Sequence, residues 1–290
     1  MWKSISQVLA DQFGAYYSIK HKEKVHTGEM HEAWIIDDGV QPVFVKVNQR
    51  QYRSMFRAEA DQLNLLAKTN TLKVPQVYGV GCAADQSFLL LEALPLQANT
   101  QTSMGLLGEQ LARLHLHQGA DNYGLNFDTW LGPEYQPNQW KENWAKFFAE
   151  QRIGWQFQIC REKGLDFATD IKKIIEKSTA LLLKHKPQPA LLHGNLWIEN
   201  CAAVNGQPVV YDPACYWGDR ECDIAFSELF EPFPAEFYQS YNAIYPLDEN
   251  YWQRKLVYQL YYLLNFSHRF QRHYVDLTQT VINKLLKETE

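Results

Sequence analysis

Along the first third of the chain, apolar and polar residues alternate with the period of two that a half-buried strand requires. "AYYSIKHKEKVHTG" alternates and stops at Gly28, and "EAWIIDDG" resumes and turns at Asp37-Asp38-Gly39, a strong hairpin signal. "PVFVKVN" follows as a short β-rich run, after which the period changes. In "SMFRAEADQLNLLAKT" the apolar positions Phe56, Ala60, Leu63 and Ala67 recur as on one side of a helix. "PQVYGVG" and "SFLLLEAL" then read as two further strands. Residues 1–93 are predicted as a five-strand antiparallel sheet with one helix inserted after the third strand. An amphipathic helix in "MWKSISQVLADQF" precedes it.

After Pro95 long helical patterns take over: "MGLLGEQLARLHLHQ", "QWKENWAKFFAEQRIGWQFQIC" and "DIKKIIEKSTALLLKH". The Gly/Asn/Pro-rich connector "GADNYGLNFDTWLGPEYQPN" separates the first two. Two short strands, "ALLHG" and "PVVYDP", come next, and helices resume from Ile224. The predicted fold class is α+β and bilobal. A small β-rich lobe spans residues 1–93, a larger mainly helical lobe spans 94–290, and a ligand cleft is expected between them.

Composition narrows the classes of function. A net charge of −5 without a basic stripe argues against a nucleic-acid partner. Five cysteines with no CxxC pair predict reduced thiols in a cytoplasmic protein. The N-terminal pattern is not that of a signal peptide, and apolar runs such as "FLLLEALPL" are too short to span a bilayer, so no membrane partner is expected. Nothing in the pattern sets an oligomeric state.

The chemistry concentrates in "LLHGNLWIEN". His193-Gly194-Asn195-Leu196 is followed by Asn200 five residues after Asn195, and by Asp212 at the end of "PVVYD". This is the spacing of a kinase catalytic loop, H-x-D-L-x-x-x-N, followed by a strand ending in a metal-binding aspartate. An Asn carbonyl and an Asp carboxylate are the hard oxygen donors magnesium prefers. Alone, "HGNLW" also reads as a turn whose Asn tolerates strained dihedrals. In the first lobe, Lys46 in mid-strand and Glu59 thirteen residues later on the helix match the ion pair that holds nucleotide α- and β-phosphates. Each is otherwise a solvated charge. The turn "HTGEMHEA" would cover the phosphates through backbone N–H groups around Gly28. Glu92 and Leu94, where the lobes join, would present backbone groups to an adenine edge. Four elements in the right order predict a protein-kinase-like fold that binds ATP and magnesium.

Gly194 replaces the arginine of a protein-kinase loop, and Asp212-Pro213-Ala214 replaces Asp-Phe-Gly. The chain therefore resembles the aminoglycoside and choline phosphotransferase type, and within it the fructosamine (ketosamine) kinase family. The matching stretches are "FVKVN", "MFRAEADQL", "VPQVYGVG", "LARLH", "NYGLNFDTWLGPEYQPN", "HGNLWIEN" and "YDPACYWGDRECDIA". The resemblance implies ATP-dependent phosphorylation of a sugar hydroxyl on ketosamines, which reverses glycation. It gives Lys46 and Glu59 to the nucleotide, Asn200 and Asp212 to magnesium, and the base position to Asn195.

In "CYWGDRECDIA", Trp217 and Asp219 are candidate substrate contacts, while Arg220 and Asp223 read as a structural pair at a helix start. Trp140 could line the sugar site; His115 and His193 read as bracing residues. An asparagine cannot take the acceptor's proton, and losing a general base typically costs about 10²–10⁴-fold in rate. Three readings of Asn195 stay open: a working natural variant with Asp219 as a stand-in base, an engineered change, or a nucleotide-binding pseudokinase. A kinase for another small hydroxylated amine is the alternative on substrate.

Overall fold

The computed structural model describes residues 1–26, 30–270 and 273–287. The alternation in "PVFVKVN" sets the layers of the small lobe. In β3 (Val43–Gln49), Val43, Val45 and Val47 face one side and Phe44 and Lys46 the other. The full antiparallel sheet comprises β1 (His21–Val25), β2 (Glu32–Asp37), β3, β4 (Val77–Ala83) and β5 (Gln86–Glu92), ordered β1-β2-β3-β5-β4. The valine side packs with Phe88 and Leu90 against α1 (Trp2–Phe13), whose Ile5 and Leu9 are fully buried. On the other side Leu89 and Leu91 meet α2 (Arg53–Lys68), the helix inserted after the third strand. Strand count, pairing sense and helix placement all match the expectation from the sequence.

Helix α2 buries Phe56, Ala60, Leu63 and Leu66, and fully burying side chains such as Phe56 and Leu66 contributes about 1.5–3 kcal/mol each. That face joins the same apolar cluster as Leu107 and Leu111 of α3 (Gln101–Leu116), so both lobes share one core. The face under α1 keeps a separate one. A capping box starts α3: Ser103 N donates to Thr100 Oγ1 at 3.1 Å and Thr100 N to Ser103 Oγ at 2.9 Å. Between β5 and α3 the chain bridges to the large lobe, with Gln97 paired to Ala203.

The connector, expected as loop, contains a small hairpin of β6 (Thr129–Leu131) and β7 (Glu134–Gln136), turning at Gly132 with φ +64°. The second helical pattern starts later than expected. Asn143 accepts from Lys146 N at 2.9 Å and caps α4 (Trp144–Phe148). A π-helical turn at Ala149–Gly154 then leads into α5 (Trp155–Glu162), and α6 (Ile171–Leu183) follows. Short β8 (Ala190–Leu191) pairs with β11 (Trp217–Gly218), and β9 (Cys201–Val204) with β10 (Gln207–Val210). The remaining helices are α7 (Glu221–Ser227), α8 (Ala235–Ile244), α9 (Tyr251–Phe270) and α10 (His273–Lys287). No helix among the described residues is long and apolar enough to cross a membrane.

Candidate active site

Lys46 sits opposite Ala33 of β2 and Leu89 of β5, on the sheet face that looks toward α2. Its Nζ donates to Glu59 Oε1 at 2.7 Å and also contacts Asp212 Oδ1 across the lobes. Burial opposes the Lys46 charge, but the Asp212 and Glu59 carboxylates outweigh it and hold the ammonium above its ordinary range. Burial likewise pushes Glu59 up to about 7, with Lys46 pulling the other way. Burial also acts against the Asp212 charge, yet Lys46 beside it keeps that carboxyl below the usual range. Asp212 follows β10 with φ +54°, a left-handed conformation that costs about 1–3 kcal/mol in a non-glycine residue and concentrates at functional sites. Its side chain stays 45% exposed.

The loop after β8 is built around this aspartate. The β8–β11 pairing continues past the strands, with Leu192 N donating to Tyr216 O at 3.0 Å and Ala214 N to His193 O at 2.8 Å. Gly194 has φ +76°, and a Cβ there would overlap Ala214 O, so this loop cannot carry an arginine at that position. Asp223 of α7 accepts from His193 N and Gly194 N, both at 2.8 Å, and clamps the turn. His115 supports Asp223 at 3.2 Å and faces Tyr241 Oη at 2.9 Å. Asn195 N donates to His193 Nδ1 at 3.3 Å, and burial lowers the His193 pKa, so the ring is neutral and braces the loop. Asn195 Nδ2 donates to Asp212 O at 2.8 Å, and Asn200 Nδ2 to Asn195 O at 2.8 Å. One junction thus gathers Lys46, Glu59, Asn195, Asn200 and Asp212.

The other expected residues fall elsewhere. Gly28 lies outside the described residues. Glu92 ends β5, its N donating to Gln76 O at 2.8 Å. Leu94 packs over Ala202, Val204 and Val209 beside Tyr211, an apolar surface under the lobe junction. Asp219 is corrected as a stand-in base. It follows Gly218, which pairs with Ala190, at the end of the ladder away from Asn195. Its buried carboxylate accepts from His185 Nε2 at 2.7 Å, from Tyr258 Oη and from Glu221 N at 3.1 Å. Trp217 is corrected too: it is 6% exposed, with its ring against Gly119, so it offers little face to a sugar. Trp140 keeps 37% of its surface exposed and donates Nε1 to Asn126 Oδ1 at 3.0 Å. Arg220 does not pair with Asp223; it donates to Tyr241 Oη at 3.0 Å and Tyr245 O at 2.8 Å.

Three contributors went unread in the sequence. His31 lies tilted against Phe56, ring centroids 5.1 Å apart, and its Nδ1 faces Asn48 Nδ2 at 2.9 Å; burial, then the Lys46 charge, push it down to about 4. Gln136 Nε2 donates to Ala214 O at 3.1 Å, and Gln62 Oε1 accepts from Cys215 N at 2.6 Å. Gln62 carried a local signal, a polar residue on the apolar face of a helical pattern, whereas His31 and Gln136 lie in turn and connector segments that show no period. A cavity of about 680 Å³ between α5 and α6 shares none of these residues.

A family model described as fructosamine kinase matches residues 1–288. The protein named probable ketoamine kinase in Pasteurella multocida is 73% identical over 287 residues, covering 99% of each chain. The crystal structure of a candidate fructosamine-3-kinase from Haemophilus somnus superposes with a TM-score of 0.96 at 64% identity, covering 99% of this chain and 98% of that one. An aminoglycoside phosphotransferase, solved with AMP-PNP and hygromycin B, matches at TM-score 0.63 and 16% identity over 98% of each chain. That last likeness is one of fold, the kinase-like fold expected from the sequence.

Proposed function

The chain belongs to the fructosamine kinase family, and from that premise we propose that it phosphorylates the 3-hydroxyl of ketosamines with Mg-ATP. Ketosamines are the rearranged adducts of glucose or ribose with amines. The observation that carries this reading is the single buried ammonium of Lys46 joining helix α2 to the aspartate of the other lobe. Phosphoryl transfer depends on positioning and charge stabilisation more than on covalent chemistry. Lys46 is the cation for the nucleotide's α- and β-phosphates, and Glu59 keeps it in place. Leu94 with Ala202, Val204 and Val209 offers an apolar face to adenine beside the Glu92–Leu94 backbone.

The donor set suits magnesium. Asn200 uses its amide nitrogen on Asn195 O, so its side-chain oxygen is the remaining donor, and the half-exposed Asp212 carboxylate is the second. When bound, magnesium supplies charge neutralisation on the transferring phosphates. Asn195, with its nitrogen tied to Asp212 O, turns its carbonyl oxygen to the acceptor hydroxyl as a hydrogen-bond acceptor. It orients that hydroxyl, whose proton passes to an oxygen of the transferring phosphoryl group as the new O–P bond forms and the bond to ADP breaks. Trp140, still exposed, is the aromatic face available to the sugar. Phosphorylation destabilises the adduct, and so the protein serves deglycation. The five cysteines are free, in keeping with a reducing cytoplasm.

The test is ADP release with Mg-ATP and a fructosyl- or ribulosyl-amine, with Asp212→Ala as the blank. The unaltered protein turns over above the blank, and Asn195→Asp raises the rate by up to about 10²-fold. Activity confined to Asn195→Asp would overturn the working-asparagine reading; silence in both proteins would overturn the ketosamine reading.

A further inference from the structure

Gln62 stands one helical turn after Glu59 on α2 and is buried, where an apolar residue would satisfy the helix pattern equally well. Its Oε1 accepts the backbone N–H of Cys215 at 2.6 Å. Cys215 lies three residues after Asp212. The contacts close a ring across the lobes. Lys46 Nζ bonds Glu59 at 2.7 Å and reaches Asp212; Glu59 is joined by one turn of helix to Gln62; and Gln62 returns to the segment that carries Asp212. Next to it, Gln136 holds Ala214 O at 3.1 Å and fixes the same segment from the large lobe.

A swing of α2 away from the large lobe would carry Glu59, and with it Lys46, off Asp212. The Gln62–Cys215 bond opposes that swing, and breaking it leaves a buried backbone N–H without an acceptor. We propose that Gln62 is a positioning residue: it holds α2 to the Asp212 segment and so sets the spacing of the Lys46–Glu59 pair from Asp212 on which nucleotide-phosphate binding depends. This rests on the kinase reading of those three residues.

Gln62→Met keeps the shape and helix preference but removes the acceptor; Gln62→Asn shortens the amide and serves if the Met variant does not fold. Mg-ADP affinity by calorimetry, hydrogen exchange across α2 and steady-state kinetics are measured on each. The expected result is an about ten-fold loss of Mg-ADP affinity and of kcat/KM for ATP, the scale of one lost buried hydrogen bond. Exchange across α2 speeds up, and the ketosamine KM does not move. Because Gln62 acts through Glu59, the substitution adds nothing further in a Glu59→Gln background. Unchanged Mg-ADP affinity and α2 exchange in a folded variant overturn the proposal. So does a full additive loss in the Glu59→Gln background, or an equal loss of ketosamine affinity. An unaltered protein that binds Mg-ADP but never turns over a ketosamine would defeat the substrate reading alone, and the exchange and binding results would still decide the role of Gln62.

Discussion

Around Asp212 one buried ammonium is the whole answer to two carboxylates, whereas around Asp219, seven residues later, a histidine, a tyrosine, a backbone amide and an arginine are spread over the acids. Asp219 takes His185, Tyr258 and the Glu221 amide. Glu221 takes both arms of Arg254, at 2.8 and 2.7 Å, and Arg254 reaches Asp248 at 2.9 Å. His185, Asp219 and Glu221 even bring ligand atoms within 4.8 Å of one another, the kind of grouping that could hold a metal ion. Arg254 and Tyr258 already answer those acids. The Asp212 group instead keeps a half-exposed carboxylate on a strained backbone, beside Asn195, which donates to Asp212 O, and Asn200, which donates to Asn195 O. Along the sequence the first place was marked by motif spacing and the second by four charges within five residues. Incomplete pairing and strain mark only the first, and those are the properties a ligand can use.

The sharpest way to break this comparison is to remove one charge from each cluster. Asp212→Asn is expected to lower kcat/KM by on the order of 10²–10³-fold with the fold intact. Asp219→Asn is expected to keep activity per folded molecule within several-fold while costing about 1–3 kcal/mol of stability. Paired kinetics and urea melts separate the two, and equal kinetic damage from both would erase the distinction. Next in size, Arg254→Met leaves the buried Glu221 without its partner and should cost about 3 kcal/mol, read as a lower urea midpoint. A neutral result would mean the second cluster is not held by that pair.

The smallest effect concerns pH. Burial raises Glu59 from its ordinary value to about 7, so its ionised, Lys46-holding form grows in as pH rises through neutrality. Accordingly kcat/KM for ATP should climb across roughly pH 6 to 8, and Glu59→Gln should flatten that limb. The stability sign is opposite. The folded state retains a proton that the unfolded chain releases from about pH 4.5 upward, so this group's contribution falls as pH rises toward 7. A pH–rate limb that survives Glu59→Gln would assign it to another group.

Much of this was legible along the chain. Period-two alternation gave β3 its faces, a continuous apolar run marked β5 without assigning them, and the helical period gave α1, α2 and α6, because burial rewards those spacings locally. Lys46, Glu59, Asn195, Asn200 and Asp212 were readable by residue type and order. The β6–β7 hairpin was not, since three-residue strands carry too few positions to show a period. Trp217 and Asp219 were misread for a different reason. Their types suit a sugar site, but whether a tryptophan ring is covered depends on Gly119, nearly a hundred residues away.

The sequence by itself determined which residues could do the chemistry, because side-chain type and spacing along one strand or helix are local properties. Only the tertiary structure decided which carboxylates keep partners to spare. That depends on what Tyr258, His185, Arg254 and Lys46 bring from distant segments, and in a buried site the pairing, more than the residue, sets the free energy of a charge.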